Sequence, residues 1–388
     1  MHIAIIAPEF PPEIGGMQTH AAEIADELVA RGHRVTVFTR QRPTLPPSRR
    51  GIEVRQVLTG HAGTDLREIR KVQADAWHAM NAAYAWVALY LQPAVVSVHG
   101  NDFLSPYIPV GEPDLSRLLP GLWRSTRLRP ALQSAIGRWR TPILVRKGLE
   151  RASRILVNSR YTEKVFLDHY PACRGLTQPG MVGVGSDFVH FEPVRRSGGR
   201  ARILTVCRLS EERKNVGMVL QALARLRLSG DDFEYTVVGD GHLRPGLENM
   251  ARNLGISDRV RFTGFLAFQQ MREELCGADL FVLTAGVHPA SHEGFGLVYL
   301  EANACGTPTL AARLAGAAEA VAEGRSGFFV DELSVDGIAY ALTRFVRGDL
   351  TFSSAECRRF ALQHSYAELV EAALPWYCRG SAPAASEG

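Results

Sequence analysis

The sequence lacks the patterns that mark disulfide-rich, zinc-stapled and membrane-spanning proteins. Its six cysteines lie far apart and form no Cys-x-x-Cys pair, so we expect single buried thiols in a reducing compartment. The best apolar run of the first half, Ala82–Leu91, is too short for a bilayer core of ~30 Å. The apolar N-terminus has no basic flank and no cleavage site, which indicates a strand and not a signal peptide. Cytoplasmic residence is the resulting expectation.

The chain also has little net charge. A formal charge of +4 on 388 residues gives no global field of the kind that attracts nucleic acid, and no recognised nucleic-acid module is present. We therefore expect no nucleic-acid partner. The apolar fraction of 46% is ordinary for a globular protein and can fill two cores, and two domains are what this length favours.

The first 40 residues predict one β-α-β unit. His2–Ala7 is a continuous apolar strand, a loop rich in proline and glycine follows, and apolar residues then recur at helical spacing from Ala21 to Val29. Arg34–Thr39 is the next strand, so the two strands are expected to be parallel with a right-handed crossover. Further strand candidates of the first half are Val54–Leu58, Ala94–His99 and Ser153–Asn158. Those of the second half are Ile203–Cys207, Tyr235–Gly239, Val260–Thr263, Leu280–Thr284, Thr309–Ala312 and Gly327–Val330.

A polar, glycine-rich stretch from Pro193 to Arg200 separates the two series and predicts a linker. We expect an N-terminal domain over residues 1–192 and a C-terminal domain over residues 200–366. Both are predicted to be α/β, doubly wound and built on a parallel sheet of the Rossmann type.

The sharpest chemical signal is the stretch Glu293-Gly-Phe-Gly-Leu-Val-Tyr-Leu-Glu301. Its two carboxylates flank a glycine-containing loop that opens a helix, and a helix N-terminus offers unpaired N–H groups to phosphate. Gly294 and Gly296 allow close backbone approach, with Phe295 and Leu297 beside them. Glu301 is expected within reach of a ribose, and Glu293 near sugar hydroxyls.

Two cations follow the strand Ile203–Cys207. Arg208 and Lys214 stand just past the carboxyl end of a parallel strand, where such sheets bind ligands. Fixed cations there stabilise the negative charge of a departing diphosphate. We interpret Arg213, between them, as a residue of a solvated basic turn.

Three weaker signals accompany these. Gly15 and Gly16 lie at the first strand-to-helix turn, where backbone N–H groups can face a phosphate. His99 ends a strand, and a lone histidine is more often structural, but its place at the carboxyl edge favours function. Gly239 and Gly241 close another strand and are candidates for lining a nucleotide site.

These residues together resemble the retaining glycosyltransferases of family 4, which have the GT-B fold. The pair Glu293 and Glu301 matches the family's Glu-x7-Glu motif, Arg208 and Lys214 match its diphosphate-binding pair, Gly16 its N-terminal glycine and His99 its histidine at the donor sugar. Two departures are Ala315-Gly316 in place of a Gly-Gly pair, and Asn101 after His99-Gly100.

The resemblance implies two domains that face each other across a cleft, the second binding a UDP- or GDP-sugar and the first binding the acceptor. It implies transfer of a hexose-type sugar to an acceptor hydroxyl with retention, by a front-face route. It also implies a final helix, over about residues 367–379, that packs back on the first domain. No Asp-x-Asp pair occurs, so no essential metal and no permanently bound cofactor are expected. The alternatives are a nucleotide-sugar epimerase of the same architecture and a non-catalytic nucleotide-sugar sensor.

The sequence gives information about the acceptor only in residues 113–154. This segment holds ten Lys or Arg and two acidic residues, and it also contains Trp123 and Trp139. Such a segment suits an anionic membrane surface or an anionic acceptor. A solvated basic helix whose tryptophans face the core is an equal alternative. The acceptor is therefore expected to be a small molecule, a glycan or a lipid-linked molecule, with peripheral membrane contact as one option.

Overall fold

The computed structural model describes residues 1–12, 15–41, 51–100, 102–104, 128–191, 199–288 and 291–378, with side chains of the helix that begins at residue 128 described from residue 139. The chain forms two compact units. The first comprises Met1–Val182 and the C-terminal segment from Tyr366, and the second comprises Gly183–Ser365. The division at Val182–Gly183 precedes the stretch expected as a linker, most of which lies outside the described residues.

The first unit is a parallel sheet with helices between its strands. Its strands are β1 (His2–Ile6), β2 (Arg34–Arg40), β3 (Ile52–Leu58), β4 (Ala76–Ala79), β5 (Ala94–Val98), β6 (Arg154–Val157) and β7 (Thr177–Gln178). Its helices are α1 (Gly16–Ala30), α2 (Ala62–Ile69), a 3-10 helix (Ala82–Leu89), α3 (Leu128–Arg151), α4 (Arg160–His169), a short 3-10 turn (Pro171–Cys173) and, after the second unit, the C-terminal helix Tyr366–Cys378.

The strand order of this sheet is β3-β2-β1-β4-β5-β6-β7, and every pair is parallel. Alternate residues of β1 enter different cores: Ala4 and Ile6 pack on one face, and Ile3 and Ile5 on the other. A sheet buried on both faces requires continuous apolar strands, which is what His2–Ala7 shows. The C-terminal helix contacts α1, β4 and β5.

The second unit repeats the plan. Its strands are β8 (Ala201–Val206), β9 (Phe233–Val238), β10 (Val260–Gly264), β11 (Leu280–Leu283), β12 (Thr309–Ala312) and β13 (Gly327–Val330). Its helices are α5 (Ser186–Val189), two 3-10 turns (Glu212–Lys214 and Ser257–Arg259), α6 (Val216–Leu228), α7 (Arg244–Asn253), α8 (Phe268–Gly277), α9 (Leu297–Ala304), α10 (Ala317–Ala320), α11 (Val335–Val346) and α12 (Ser354–Leu362).

The strand order of the second sheet is β10-β9-β8-β11-β12-β13, again parallel throughout. The order reverses beside β8, so the loops that follow β8 and β11 leave the sheet in opposite directions. Open α/β sheets bind ligands at such a switch point, beyond the carboxyl ends of the strands. The first sheet has the same reversal between β1 and β4. The predicted fold class is confirmed in both units.

The sequence reading missed two strands, β4 and β7. β4 is only Ala-Trp-His-Ala, without the β-branched residues that mark strands, yet it lies beside β1 at the centre of the sheet. Across the described ranges, no helix has both the length and the apolar character needed to cross a bilayer.

Helix α3 packs on the 3-10 helix Ala82–Leu89 through Gly148. A Cβ atom at Gly148 would lie 2.3 Å from the Ala85 carbonyl oxygen, which is closer than any real contact. We expect Gly148→Ala to lower the free energy of unfolding by at least about 2 kcal/mol, because backbone and not a movable side chain fills the space. Urea unfolding followed by circular dichroism measures it.

Gly63→Ala in α2 is the matched control. Apart from its chain neighbours and the backbone of its own helix, no atom lies within 4 Å of the position where its Cβ would be. The helix propensity of alanine should therefore stabilise the protein by about 0.5 kcal/mol. Equal effects of the two substitutions would contradict the packing that we describe for α3.

Candidate active site

The loops after β8 and β11 are joined at the switch point of the second sheet. The 3-10 turn Glu212–Lys214 ends at Asn215, whose φ of 57° is left-handed, a conformation that asparagine tolerates better than most residues. The Asn215 side-chain amide donates to the Thr284 carbonyl at 2.7 Å, and the Gly286 N–H donates to the Arg213 carbonyl at 2.7 Å. These bonds hold the two loops together and fix where Arg213 and Lys214 point.

Glu293 lies at the centre of an ionic network between these loops. Its Oε2 atom lies 2.5 Å from Lys214 Nζ and 3.4 Å from Arg213 Nη1. Arg213 also contacts Glu211 Oε2 through Nη2 at 2.5 Å and donates from Nε to Ser291 Oγ at 2.8 Å. The side chains of Glu293, Lys214 and Arg213 are each less than 15% exposed, so the charges compensate one another away from bulk water.

The network keeps Glu293 ionised. Burial alone raises the pKa of this carboxyl, but the Lys214 ammonium and the Arg213 guanidinium outweigh burial and hold the pKa below its ordinary value. Both cations bind the same oxygen, Oε2. Among the described residues nothing donates to Oε1, so this oxygen of the ionised carboxylate keeps unused acceptor capacity.

Arg213 differs from its interpretation in the sequence, whereas the role predicted for Arg208 stays a prediction. Arg213, assigned to a solvated basic turn, is only 11% exposed and pairs with two carboxylates; that interpretation was wrong. Arg208 is 85% exposed and, among the described residues, forms an ion pair with Glu211 alone, at 3.4 Å. The sequence signal for Arg213 was its place beside Lys214 in one turn, but spacing alone does not tell which side chain of a turn faces inward.

The loop Glu293–Gly296 is held by backbone contacts with the loop after β12. The Gly316 N–H donates to the Glu293 carbonyl at 3.0 Å, and a Cβ at Gly316 would lie 2.0 Å from the Gly294 carbonyl oxygen. Gly296 has a φ of 89° and immediately precedes α9, while Phe295 is buried. Because only glycine fits at such approaches, the sequence requires glycine at these positions irrespective of any ligand.

Glu301 lies in α9 and has a different environment from Glu293. Its carboxylate makes no hydrogen bond or ion pair with the described residues, and Leu297 begins the same helix one turn earlier. Although its side chain is partly exposed, the surrounding protein desolvates it and raises its pKa to about 7. The two carboxylates of the Glu-x7-Glu motif are thus shifted in opposite directions.

Gly239 and Gly241 lie against the segment that follows β8. Cβ atoms there would lie 1.9 Å from the Cys207 carbonyl oxygen and 2.3 Å from the Leu209 carbonyl oxygen. The Leu209 N–H donates to the Asp240 carbonyl at 2.9 Å, so the two loops pair like neighbouring strands. Packing therefore explains both glycines, and a role at a nucleotide stays a prediction.

The remaining predicted residues belong to the first unit. Gly15 precedes α1 and its carbonyl accepts the Thr19 N–H at 3.0 Å, and Gly16 is the first residue of that helix. His99 follows β5, and its backbone N–H donates to Asp102 Oδ1 at 2.8 Å. The Nε2 atom of His99 is buried and has no hydrogen-bond partner among the described residues. Asn101 lies outside the described residues.

His20 of α1 is a neighbour of His99 that sequence reasoning did not single out. The two imidazole rings meet edge to face with centroids 4.7 Å apart, and His20 Nδ1 shares a hydrogen bond of 3.2 Å with the Tyr366 hydroxyl. Burial lowers the pKa of both histidines, although Asp102 partly offsets this for His99. Both imidazoles are therefore uncharged near neutral pH.

Comparisons with known proteins identify the family of the chain. The model of glycosyl transferases group 1 matches residues 188–361, and that of glycosyltransferase family 4 matches residues 14–175. A D-inositol 3-phosphate glycosyltransferase of Nocardiopsis dassonvillei is 31% identical, with 86% of this chain and 82% of that protein covered. A GDP-mannose-dependent alpha-(1-6)-phosphatidylinositol monomannoside mannosyltransferase of Mycolicibacterium smegmatis is 28% identical, with 87% of each chain covered.

Solved structures share the fold at low identity. A sucrose-phosphate synthase from Thermosynechococcus elongatus superposes with a TM-score of 0.70 at 17% identity, covering 97% of this chain and 98% of that one. WaaG, a glycosyltransferase involved in lipopolysaccharide biosynthesis, superposes with a TM-score of 0.66 at 21% identity, covering 97% and 100%. The chain belongs to the family 4-like glycosyltransferases with the GT-B fold, and the expected resemblance is confirmed.

Ala315 occupies a conformation that favours glycine, with a φ of 51°. A residue with a Cβ atom destabilises the folded state there by about 1 kcal/mol or more. Glycine removes this strain, but it also increases the entropy of the unfolded chain, which offsets part of the gain in stability. We expect Ala315→Gly to raise the free energy of unfolding by up to about 1 kcal/mol. Thermal or urea unfolding measures the change.

Ala318→Gly, in the exposed position of α10 one turn later, serves as the control. Glycine within a helix should destabilise it by about 0.5–1 kcal/mol. Destabilisation by both substitutions would mean that Ala315 is not strained.

Proposed function

We propose that the protein is a retaining hexosyltransferase that moves a sugar from a GDP- or UDP-sugar to an acceptor hydroxyl. The observation that carries this proposal is the network at the β8–β11 switch point, where Lys214 and Arg213 hold Glu293 ionised through Oε2 and no described residue donates to Oε1. A carboxylate acceptor beside exposed and buried cations suits a ligand with both hydroxyls and a diphosphate.

Each site residue takes a role in this proposal. Arg208 and Lys214 bind the diphosphate, supported by the loop Gly294–Leu297 at the start of α9. Glu293 accepts hydrogen bonds from sugar hydroxyls and Glu301 from the ribose. His99 and Gly15–Gly16 act from the first unit, His99 through its buried Nε2 on the sugar and the glycines on the phosphates.

The chemical step follows a front-face route. The bond between the sugar's anomeric carbon and the phosphate oxygen breaks, and the acceptor oxygen bonds the same carbon on the same face. The acceptor proton passes to the departing phosphate oxygen, so no protein base is required. Negative charge grows on the diphosphate in the transition state, and Arg208 and Lys214 stabilise it there. The proposal thus assigns to fixed cations what a divalent metal does elsewhere.

The relatives' names suggest where to look for donor and acceptor. One set is named for GDP-mannose and phosphatidylinositol monomannoside, the other for D-inositol 3-phosphate. We therefore take GDP-mannose as the first donor to test and a phosphorylated inositol as the first acceptor. An epimerase would convert donor without acceptor, and a sensor would bind donor without turnover, so one assay separates the three.

Helix α3 supports peripheral contact with anionic lipid. Trp139 is 70% exposed and Ile143, one turn later, is 40% exposed, so this tryptophan does not face the core. Arg146 and Lys147 are exposed beyond them. An apolar pair followed by cations suits the boundary between acyl chains and anionic headgroups, where a lipid-linked acceptor would be found.

We expect a panel of GDP-, UDP- and ADP-sugars to contain one nucleotide series that stabilises the protein thermally and is slowly hydrolysed without acceptor or added metal. Lys214→Ala should weaken binding of the matching nucleoside diphosphate roughly tenfold or more, because a charge-assisted hydrogen bond is lost. Calorimetry measures the affinity, and release of nucleoside diphosphate measures hydrolysis.

Arg347→Ala provides a matched control, since this arginine is half exposed and pairs with Asp231 before β9, at the other end of the strands. It should leave affinity unchanged. If well-folded wild-type protein is stabilised by no nucleotide sugar, the proposed function is wrong. Binding without any turnover, with or without phosphorylated inositol, would favour the sensor.

Trp139→Ala should weaken binding to vesicles that contain a third phosphatidylglycerol by roughly three- to tenfold, because an interfacial indole is lost. Tyr340→Ala, which removes a 57% exposed aromatic ring from α11, is the control. Vesicle co-sedimentation is the measurement. Equal binding of both variants and the wild type would exclude this surface as the contact.

A further inference from the structure

The network around Glu293 has a defined charge balance. Three cations, Arg208, Arg213 and Lys214, face two carboxylates, Glu211 and Glu293, in the spatial order Arg208–Glu211–Arg213–Glu293–Lys214. The described cluster therefore has one excess positive charge. A diphosphate that binds Arg208 and Lys214 introduces at least two negative charges beside the two carboxylates.

The three cations differ in their freedom to meet a ligand. Arg208 is 85% exposed and has one weak contact, and the Lys214 ammonium has three donors on a flexible stem. Arg213 is fixed on three sides, by Glu211, by Glu293 and by the Ser291 hydroxyl, and its own carbonyl is bound by Gly286. Its guanidinium is thus committed to protein partners.

We infer that Arg213 is a positioning residue: it is the resident counter-ion that keeps Glu293 ionised and aimed while a donor diphosphate takes up the charge of Arg208 and Lys214. The inference rests on the proposed function, because it needs a diphosphate at those two cations. It assigns to Arg213 the neutralisation of Glu293 in the donor complex, a role that neither the Glu-x7-Glu motif nor the Arg208–Lys214 pair provides. Without Arg213, the bound complex would place two carboxylates and a diphosphate around only two cations.

The groups that face Glu293 determine how its ionisation responds. From the segment after β8 these are Lys214, Arg213, Glu211 and Cys207; from its own loop, His292; from α9, Tyr299. Burial raises the pKa of Cys207 to about 11 and raises that of Tyr299 well above its usual value. Burial and Arg213 lower the pKa of His292. All three are uncharged near neutral pH, so the cations control Glu293.

Cations lower the pKa of Glu293, so loss of Arg213 raises it, and the ionised form then disappears at a higher pH. The acid limb of kcat reports groups in the enzyme–donor complex. Arg213→Gln should therefore move that limb upward by about one pH unit.

The experiment compares wild type, Arg213→Gln and Arg213→Lys in donor hydrolysis or transfer with the active nucleotide sugar. We expect Arg213→Gln to lower kcat at neutral pH roughly 10- to 100-fold, because Glu293 is no longer aimed. After a shift of about one pH unit Glu293 is still ionised there, so this loss reports its position and not its protonation. Its dissociation constant for the nucleoside diphosphate alone should stay within about threefold of wild type, since Arg208 and Lys214 remain. Arg213→Lys should restore the position of the acid limb but not the full kcat, because one ammonium cannot bond Glu211, Glu293 and Ser291 together.

The outcomes are distinguishable. A wild-type protein without nucleotide-sugar binding overturns the proposed function and this inference with it. If the wild type is active but the acid limb of kcat lies at the same pH in Arg213→Gln, the inference alone is overturned. The inference alone is also overturned if Arg213→Gln loses diphosphate affinity and kcat by the same factor. If Arg213→Gln does not fold, Arg213→Lys tests the inference. A kcat of Arg213→Lys within about twofold of wild type would contradict the positioning role of Arg213. Arg347→Gln controls for loss of an exposed cation.

Discussion

The ion pair between Glu293 and Lys214 is the interaction on which the second unit's site depends. It connects the loop after β11 with the loop after β8, and these are the two loops that part at the switch point of the sheet. A carboxylate this far from water is tolerable only with cations beside it, and a cation there needs the carboxylate equally. Removing either partner would leave a buried charge, so the pair constrains where both loops lie.

Close backbone contacts convert that constraint into a rigid site. Gly239 and Gly241 allow the loop after β9 to lie on the carbonyls of Cys207 and Leu209, and Gly316 lies on the carbonyl of Gly294. The loops after β9 and β8 therefore meet backbone to backbone, as do the loops after β12 and β11, and the charged side chains join the two pairs. Dispersion and hydrogen bonds then hold the charged side chains at distances that flexible loops would not keep. Ala315, with its left-handed φ, is a place where this chain departs from the glycine that the geometry favours, and Asn215 is another.

Most of the fold was readable from the sequence because buried parallel strands are continuous apolar runs, and β1, β2 and β12 were predicted within about a residue of where they lie. β4 was not readable, since Ala-Trp-His-Ala is too short and too weak in β propensity to signal a strand. In the site, glycine spacing and paired carboxylates pointed to Glu293 and Glu301. Arg213 was misjudged because its burial depends on the left-handed turn at Asn215 and on Ser291, which lies 78 residues away in sequence.

The Glu-x7-Glu motif shows most clearly what spacing cannot tell. Both positions hold the same side chain, yet two cations hold the pKa of Glu293 below its ordinary value, and desolvation without a cation raises that of Glu301 to about 7. A permanently ionised acceptor suits hydroxyls next to the reacting carbon, where a constant negative charge favours a positive sugar ring in the transition state. A carboxyl that changes protonation near neutral pH costs less to bury in the absence of ligand and becomes a strong acceptor when a diol supplies its hydrogens. The environment, and not the motif, therefore gives the two carboxylates opposite pKa shifts, and the proposed roles at the sugar and the ribose are consistent with that difference.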